Sequence, residues 1–406
     1  MKKLTALITS IILLSCGYLY SQGKWITYND ELDAGFQSSG NYTANFIEDK
    51  AGNLILTSSK GKIIRYNGQD WRAYEYMMKI KAPFVNWTSP VLDNNTGFVW
   101  FGANTGIVLW DGINPFLMTG SVDSNKRMVY GDENQKGFAV DNNKMISISG
   151  DEQITEQLPA HNIYSVLVDS KNRTWFGNVA GRLFIRNEKG TWTEGNDVYK
   201  ADIKKMVKKD HKRINKLFED RDHNIWVLTN SCVARFDKDL NFSIETELES
   251  PMSVFQDSEG SIWIGYVSGV ARFDGNSWKK WGKDDEIEDV RVPGRILEDK
   301  DGNIWFCAKT IFALRKGGGL YKFDGSKWES VKVDRKGFYS DILKTRNDNL
   351  YCTTMTGFYQ YKNNAWEMIR KIEGFATFYH EMFEDSRGDI WFGTSTLRGY
   401  VERYTP

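Results

Sequence analysis

Glu298-Asp299-Lys300-Asp301-Gly302-Asn303-Ile304-Trp305-Phe306 is an acidic pair, a tight turn and an aromatic strand in nine residues. Two further stretches repeat it: Phe255-Gln256-Asp257-Ser258-Glu259-Gly260-Ser261-Ile262-Trp263-Ile264-Gly265 and Phe383-Glu384-Asp385-Ser386-Arg387-Gly388-Asp389-Ile390-Trp391-Phe392-Gly393. A unit this short cannot bury its own apolar face. It must stack on its neighbours, so the repeat decides the fold before any other feature is read. With the turn aspartate as anchor, units stand at Asp49, Asp93, Asp132, Asp169, Asp220, Asp257, Asp299, Thr345 (in the place of the aspartate) and Asp385. The spacing is roughly 40–50 residues, as blades of four short strands require. Nine units fit the chain. The unit at Asp132 is the weakest, with Phe138 where the others mostly carry Trp. Leaving it out would open a gap of about two units, so it is kept.

Each unit reads as four strands. The first is short and apolar at adjacent positions, as in Ser165-Val166-Leu167-Val168, which implies burial on both faces. A turn follows in which Gly or Asn supplies positive φ. The second strand carries an aromatic six residues after the anchor: Phe138, Trp175, Trp226, Trp263, Trp305, Tyr351 and Trp391. Trp100 sits one place later, and Ile55 is the exception. The third strand reads Gly269-Val270-Ala271-Arg272-Phe273, and the fourth brings a second aromatic: Trp71, Phe116, Trp192, Phe242, Trp278, Trp328 and Trp366. Two aromatic columns suit the wedge between successive blades, which is their plain reading as core. The last unit ends after its third strand, and Gly23-Lys24-Trp25-Ile26-Thr27-Tyr28 resembles a missing fourth. The expectation is therefore an all-β single β-propeller over residues 22–406. Its blades are four-stranded and antiparallel, nine in number, with the N-terminal strand completing the last and closing the ring. Eight blades with one irregular unit, or two smaller rings, fit the same spacings.

The phrase Glu-Asp-x-x-Gly-Asn-Ile-Trp-Phe, followed by Gly-Val-x-Arg-Phe-Asp-Gly-x-x-Trp, resembles the two-component regulator propeller repeat. That repeat builds the periplasmic sensor region of many hybrid two-component systems of Bacteroidota-type bacteria. The resemblance covers nearly the whole of residues 22–406 and implies the propeller fold. It implies a sensor or recognition role less specifically. Family sensors continue into a further β domain, a membrane helix, a histidine kinase and a DNA-binding regulator. None of these follows Pro406 in this sequence, so the expectation is a stand-alone propeller that does not itself carry out phosphotransfer.

Met1-Lys2-Lys3 and the apolar run Leu4–Leu14 form the charged and hydrophobic parts of a secretory signal, assigned to residues 1–21. The run is too short for a transmembrane anchor. Cleavage after Ser21 would leave Gln22 first and the protein secreted or periplasmic. The alternative is a lipoprotein anchored through Cys16, since Leu13-Leu14-Ser15-Cys16 resembles a lipobox. Three cysteines remain, Cys232, Cys307 and Cys352. An odd number cannot pair fully, and the strand positions of Cys307 and Cys352 point them to opposite faces of their sheets, so buried free thiols are expected. Charge balances, with 53 acidic and 53 basic residues. That excludes a general nucleic-acid or membrane-surface binder.

Catalytic constellations are scarce. His161, His211, His223 and His380 form no metal-binding spacing, and there is no nucleophile elbow or phosphate loop. No cofactor and no metal is expected. Lys316–Leu320 is a Gly-rich loop, and Asp299 with Asp301 lacks the further ligands of a calcium loop. The residue four places before each anchor is more informative: Asn45, Ser89, Met128, Ser165, Lys216, Ser253, Arg295, Asp341 and Glu381. These open the innermost strands and should ring the mouth of the central channel. Water in the channel explains polar residues there. The charges of Lys216, Arg295, Asp341 and Glu381, with Asn45 and His380, also suit a polar ligand. Connections on the same face bring Trp87, Phe375, Phe378 and Tyr379, aromatics that could stack on a sugar ring or only cover the channel. The Lys-rich segment 199–213 is readable as a short solvated amphipathic helix. The function expected is non-catalytic recognition, by a monomer, of a small molecule (glycans included) or a protein. The alternatives are a propeller lyase or hydrolase of the streptogramin-lyase type, with His380 beside Glu381, and a structural part of a surface complex.

Overall fold

The computed structural model describes residues 23–28, 43–58, 62–75, 88–103, 106–112, 115–117, 128–131, 137–141, 144–149, 152–157, 163–187, 192–194, 213–288, 290–311, 317–372, 378–395 and 401–406. Among them, nine antiparallel sheets of four strands form, and eight make a ring. Blades 1 to 7 begin with the strands Thr43–Glu48, Val91–Leu92, Ile163–Val168, Ile214–Glu219, Ser253–Gln256, Val292–Glu298 and Tyr339–Lys344. Blade 8 begins with Phe378–Glu384 and takes its outermost strand from the other end of the sequence: Lys24–Tyr28 runs antiparallel beside Val401–Thr405, Trp25 opposite Tyr404.

The expected count of nine is corrected to eight. The unit of Asp132 does form a meander of its own, with strands Met128–Gly131, Gly137–Asp141, Lys144–Ser149 and Glu152–Gln157. It stands outside the ring. Trp100, Ile107 and Leu109 of blade 2 share one buried core with Ile163, Val166, Phe176 and Phe184 of blade 3. Trp100 and Phe176 pack edge to face at 5.6 Å. A Cβ placed on Gly102 would lie 2.6 Å from the Ile163 side chain, so no sheet fits between these blades. Spacing reports how long a unit is, not what it stacks on. This unit has neither the indole nor the acidic residue before the anchor that fasten other blades.

Those fastenings explain the repeat. The anchor carboxylate accepts the indole N–H six residues on: Asp169 from Trp175, Asp220 from Trp226, Asp257 from Trp263, Asp299 from Trp305 and Asp385 from Trp391, at 2.7–2.9 Å. Its other oxygen accepts backbone N–H groups of the turn, as Asp299 does from Asp301 and Asn303. The turn needs a left-handed residue, supplied by Gly302 at φ 81° and Gly388 at φ 86°. Residues before the anchor clasp the preceding blade. Glu219, Glu298 and Glu48 each accept the backbone N–H and hydroxyl of Ser170, Ser258 and Ser386. The two aromatic columns meet across blades. Trp391 packs on Trp71, Trp226 on Trp278, Trp263 on Trp328 and Trp305 on Trp366, edge to face at 5.7–6.2 Å. The second strands, such as Leu54–Ser58 and Ile225–Thr229, are buried at every position because each is sandwiched on both faces. Cys232, Cys307 and Cys352 are buried free thiols, as the strand positions predict. No described helix is long and apolar enough to cross a membrane.

Candidate functional site

The first strands of successive blades touch one another, which makes them the innermost. Leu217 N–H of blade 4 donates to the Ser165 hydroxyl of blade 3, Met382 N–H of blade 8 to Asp341 of blade 7, and Asn45 N–H of blade 1 to Glu381 of blade 8. Six of these strands carry the same irregularity. At Asn45, Tyr164–Ser165, Asn215–Lys216, Gly294–Arg295, Ser340–Asp341 and His380–Glu381 the register slips by one residue against the second strand. A β-bulge leaves one residue unpaired and re-aims a side chain. Here the extra residue falls at, or directly before, the position four before the anchor.

With the Asp132 unit outside, Met128 leaves the ring. The eight remaining positions are Asn45, Ser89, Ser165, Lys216, Ser253, Arg295, Asp341 and Glu381, all polar. Their arrangement is lopsided. Blades 6, 7, 8 and 1 form a bonded wall: Arg295 donates to Asp341 at 3.0 Å and to the Met382 carbonyl at 3.2 Å, and lies 3.9 Å from Glu381. Asp341 is 2% exposed and accepts three donors, Arg295, Met382 N–H and Ile342 N–H. Blades 2 to 5 hold three serines and Lys216. Among the described residues, no hydrogen bond or ion pair reaches the Lys216 ammonium. Burial lowers its pKa, with Glu381 opposing and Arg295 adding to the shift. Burial raises the pKa of Glu381, against the pull of Arg295 and Lys309. Lys309 was not anticipated. It ends the second strand of blade 6, beside the bulge that carries Arg295, and its only sequence signal is strand alternation from Cys307.

The structure thus brings together Asn45, Lys216, Arg295, Asp341 and Glu381. His380 and Phe378 lie in the first strand of blade 8, with their side chains outside the described set, and Trp87 and Phe375 fall outside the described residues. So do residues 1–22, the Lys-rich 199–212 and Lys316. Tyr379 is corrected: it is not a loop aromatic but a strand residue, 2% exposed, whose hydroxyl donates to the buried Glu402. It belongs to the blade interior, because strand pairing begins at Phe378.

Neither a metal centre nor a nucleophilic triad forms among the described residues. No group of three or more His, Cys, Asp or Glu among the described residues could hold a metal. Ser170, His223 and Glu219 do meet, but serine and carboxylate both address the same His223 nitrogen, Nδ1, at 2.8 and 3.2 Å. A nucleophilic triad needs them on opposite nitrogens. The same Ser–Glu pair recurs elsewhere without a histidine, as the inter-blade clasp.

No protein-family profile and no curated protein sequence matches this chain. Solved structures do share its fold. The Dos1 propeller superposes with a TM-score of 0.62 at 10% identity, over 94% of each chain. The extracellular domain of a putative hybrid two component system from B. thetaiotaomicron is 16% identical, with a TM-score of 0.44 over 90% of this chain and 56% of that one. A streptogramin B lyase is 15% identical, with a TM-score of 0.44 over 70% of this chain and 95% of that one. The chain thus spans little more than half the length of the two-component domain. These are likenesses of fold alone: the protein is a single eight-bladed β-propeller.

Proposed function

We propose that this protein is a non-catalytic recognition propeller working outside the cytoplasm, exported by residues 1–21, and that it takes its ligand at the channel mouth. One observation carries the reading. Six bulges fall at or beside the positions four before the anchors, and in the eight blades all eight of those positions are polar. Stacking is served mainly by the indole columns and the clasps, on other strands and the opposite end of the first strand; within the ring, Ser165, Asp341 and Glu381 each also hold a backbone N–H of the next blade, and among the described residues Lys216 does not. Trp87 and Phe375 would cover the ligand from the loops, and a glycan or a peptide would suit such a cover.

The test is a thermal-shift screen of sugars, peptides and nucleosides on residues 22–406, since a ligand that binds only the native state raises the melting temperature. The shift given by a hit should fall in Lys216→Met and Arg295→Gln and persist in Lys279→Ala, on an outer strand. Asp341 is a poor probe, because it caps the backbone of the next blade. A hit whose shift is unchanged in both channel variants would move the site away from the channel.

A further inference from the structure

We infer that the channel mouth selects a ligand bearing a single carboxylate, seated on Lys216. This rests on the channel-mouth reading and names its chemistry.

The charge at the channel mouth is unevenly met. Of the charged groups described here, Arg295 and Asp341 satisfy each other, and Asp341 is further used by two backbone N–H groups. One oxygen of Glu381 accepts Asn45 N–H, and the other faces Arg295 at 3.9 Å, with Lys309 adding positive charge nearby. Among the described residues, no acceptor bonds the three N–H donors of the Lys216 ammonium; Lys309 likewise makes no hydrogen bond or ion pair there, but its charge acts on Glu381. It is half-buried, so water solvates it incompletely, and burial opposes its charged form. An anion brought there supplies acceptors to a donor that already needs them. Three cations, Lys216, Arg295 and Lys309, face two carboxylates, Asp341 and Glu381. The set is short of one negative charge. A monoanion completes it. A dianion such as sulfate overshoots it and meets the field of Glu381, from the blade opposite Lys216 in the ring of eight.

A sugar acid and a peptide C-terminus both carry this group. The experiment is calorimetry on residues 22–406 at constant ionic strength, with gluconate against sorbitol, triglycine against triglycine amide, and sulfate. One carboxylate of the two should bind at least tenfold more tightly than its neutral partner, since a charged hydrogen bond contributes about that much. Whichever pair shows the difference names the source. Lys216→Met should abolish the preference, and Lys216→Arg, which keeps the charge, should retain most of it. Circular dichroism of both variants guards against misfolding. Equal affinity for charged and neutral partners, sulfate binding as tightly as the carboxylate, or a preference that survives in a folded Lys216→Met variant would each overturn the inference. A neutral ligand from the screen that still depends on Arg295 would overturn it too, yet leave the channel-mouth reading standing. A screen with no channel-dependent ligand at all would overturn both.

Discussion

Asp257 offers the cleanest test of what the repeat is for. It is 4% exposed, and its carboxylate accepts Ser261 N–H at 2.8 Å and the Trp263 indole N–H at 2.7 Å. Asp257→Ala orphans both donors in a site that water does not reach. At about 1–3 kcal/mol for each, the loss is about 2–6 kcal/mol. Asp257→Asn is the sharper variant. Its amide oxygen can still take the backbone N–H, but its amide nitrogen would then confront the indole N–H, donor against donor. That leaves one orphan, or about 1–3 kcal/mol. Blade 2 supplies the control. The extra residue in its turn puts Trp100 one place late, and its indole N–H has no partner among the described residues, while Asp93 bonds Thr96 and Asn95 in a partly open turn. Asp93→Ala therefore orphans no indole and should cost only about 0.5–1.5 kcal/mol for each turn bond lost. Urea denaturation followed by circular dichroism reads the difference as a shift in midpoint. Equal losses from Asp257→Ala and Asp93→Ala, or a neutral Asp257→Asn, would refute the claim that the aspartate is retained to hold the indole.

Replacing residues 118–162 with a flexible linker should leave a ring that melts within a few degrees of the full protein, because that sheet lies between no two blades; collapse of the fold would restore it to the ring. The pKa of Glu381 is raised in the folded state, so its contribution is present at acid pH and is lost as pH rises through the raised value. Glu381→Gln should thus gain stability relative to the natural protein as pH climbs from about 4.5 toward neutrality, and a constant difference across a pH series of denaturation curves would contradict this. Burial pushes the thiols of Cys307 and Cys352 up, so a thiol reagent at pH 8 should modify neither in the native protein and both after denaturation, as mass spectrometry would show.

The architecture could be read from the residues because it is written twice, once in the Asp-to-Trp interval and once in the strand alternation. The count could not. A unit's length is a property of one segment, whereas membership in the ring depends on two faces fitting two neighbours. Phe138 already marked the weak unit, and Gly131 before Asp132, in place of the clasp glutamate, marked it again. The channel positions were legible as the residue four before the anchor, but not the bulge that aims them, which depends on pairing with the second strand. Nor did the sequence show that Asp341 would be consumed by backbone donors while Lys216 found no acceptor among the described residues. Tyr379 was misplaced because the boundary between a loop and a strand is set by the partner strand, here Ile390–Ser395.

The recurrent bulge has an evolutionary corollary. Two residues of the first strand stand opposite one residue of the second. That facing residue is Gly177 in blade 3, Gly393 in blade 8, and Thr57, Leu228, Cys307 and Thr353 elsewhere. At Ser165, Asp341 and Glu381 the side chain also holds a backbone N–H of the next blade, and Arg295 bonds blades 7 and 8, whereas among the described residues the side chains of Asn45 and Lys216 make no hydrogen bond. Blades 1 and 4 thus each present one position that can drift without breaking a bond to the blade beside it. A duplicated array of such units can retune its channel one blade at a time. New ligand specificities are then reachable by single substitutions, each passing through a folded protein.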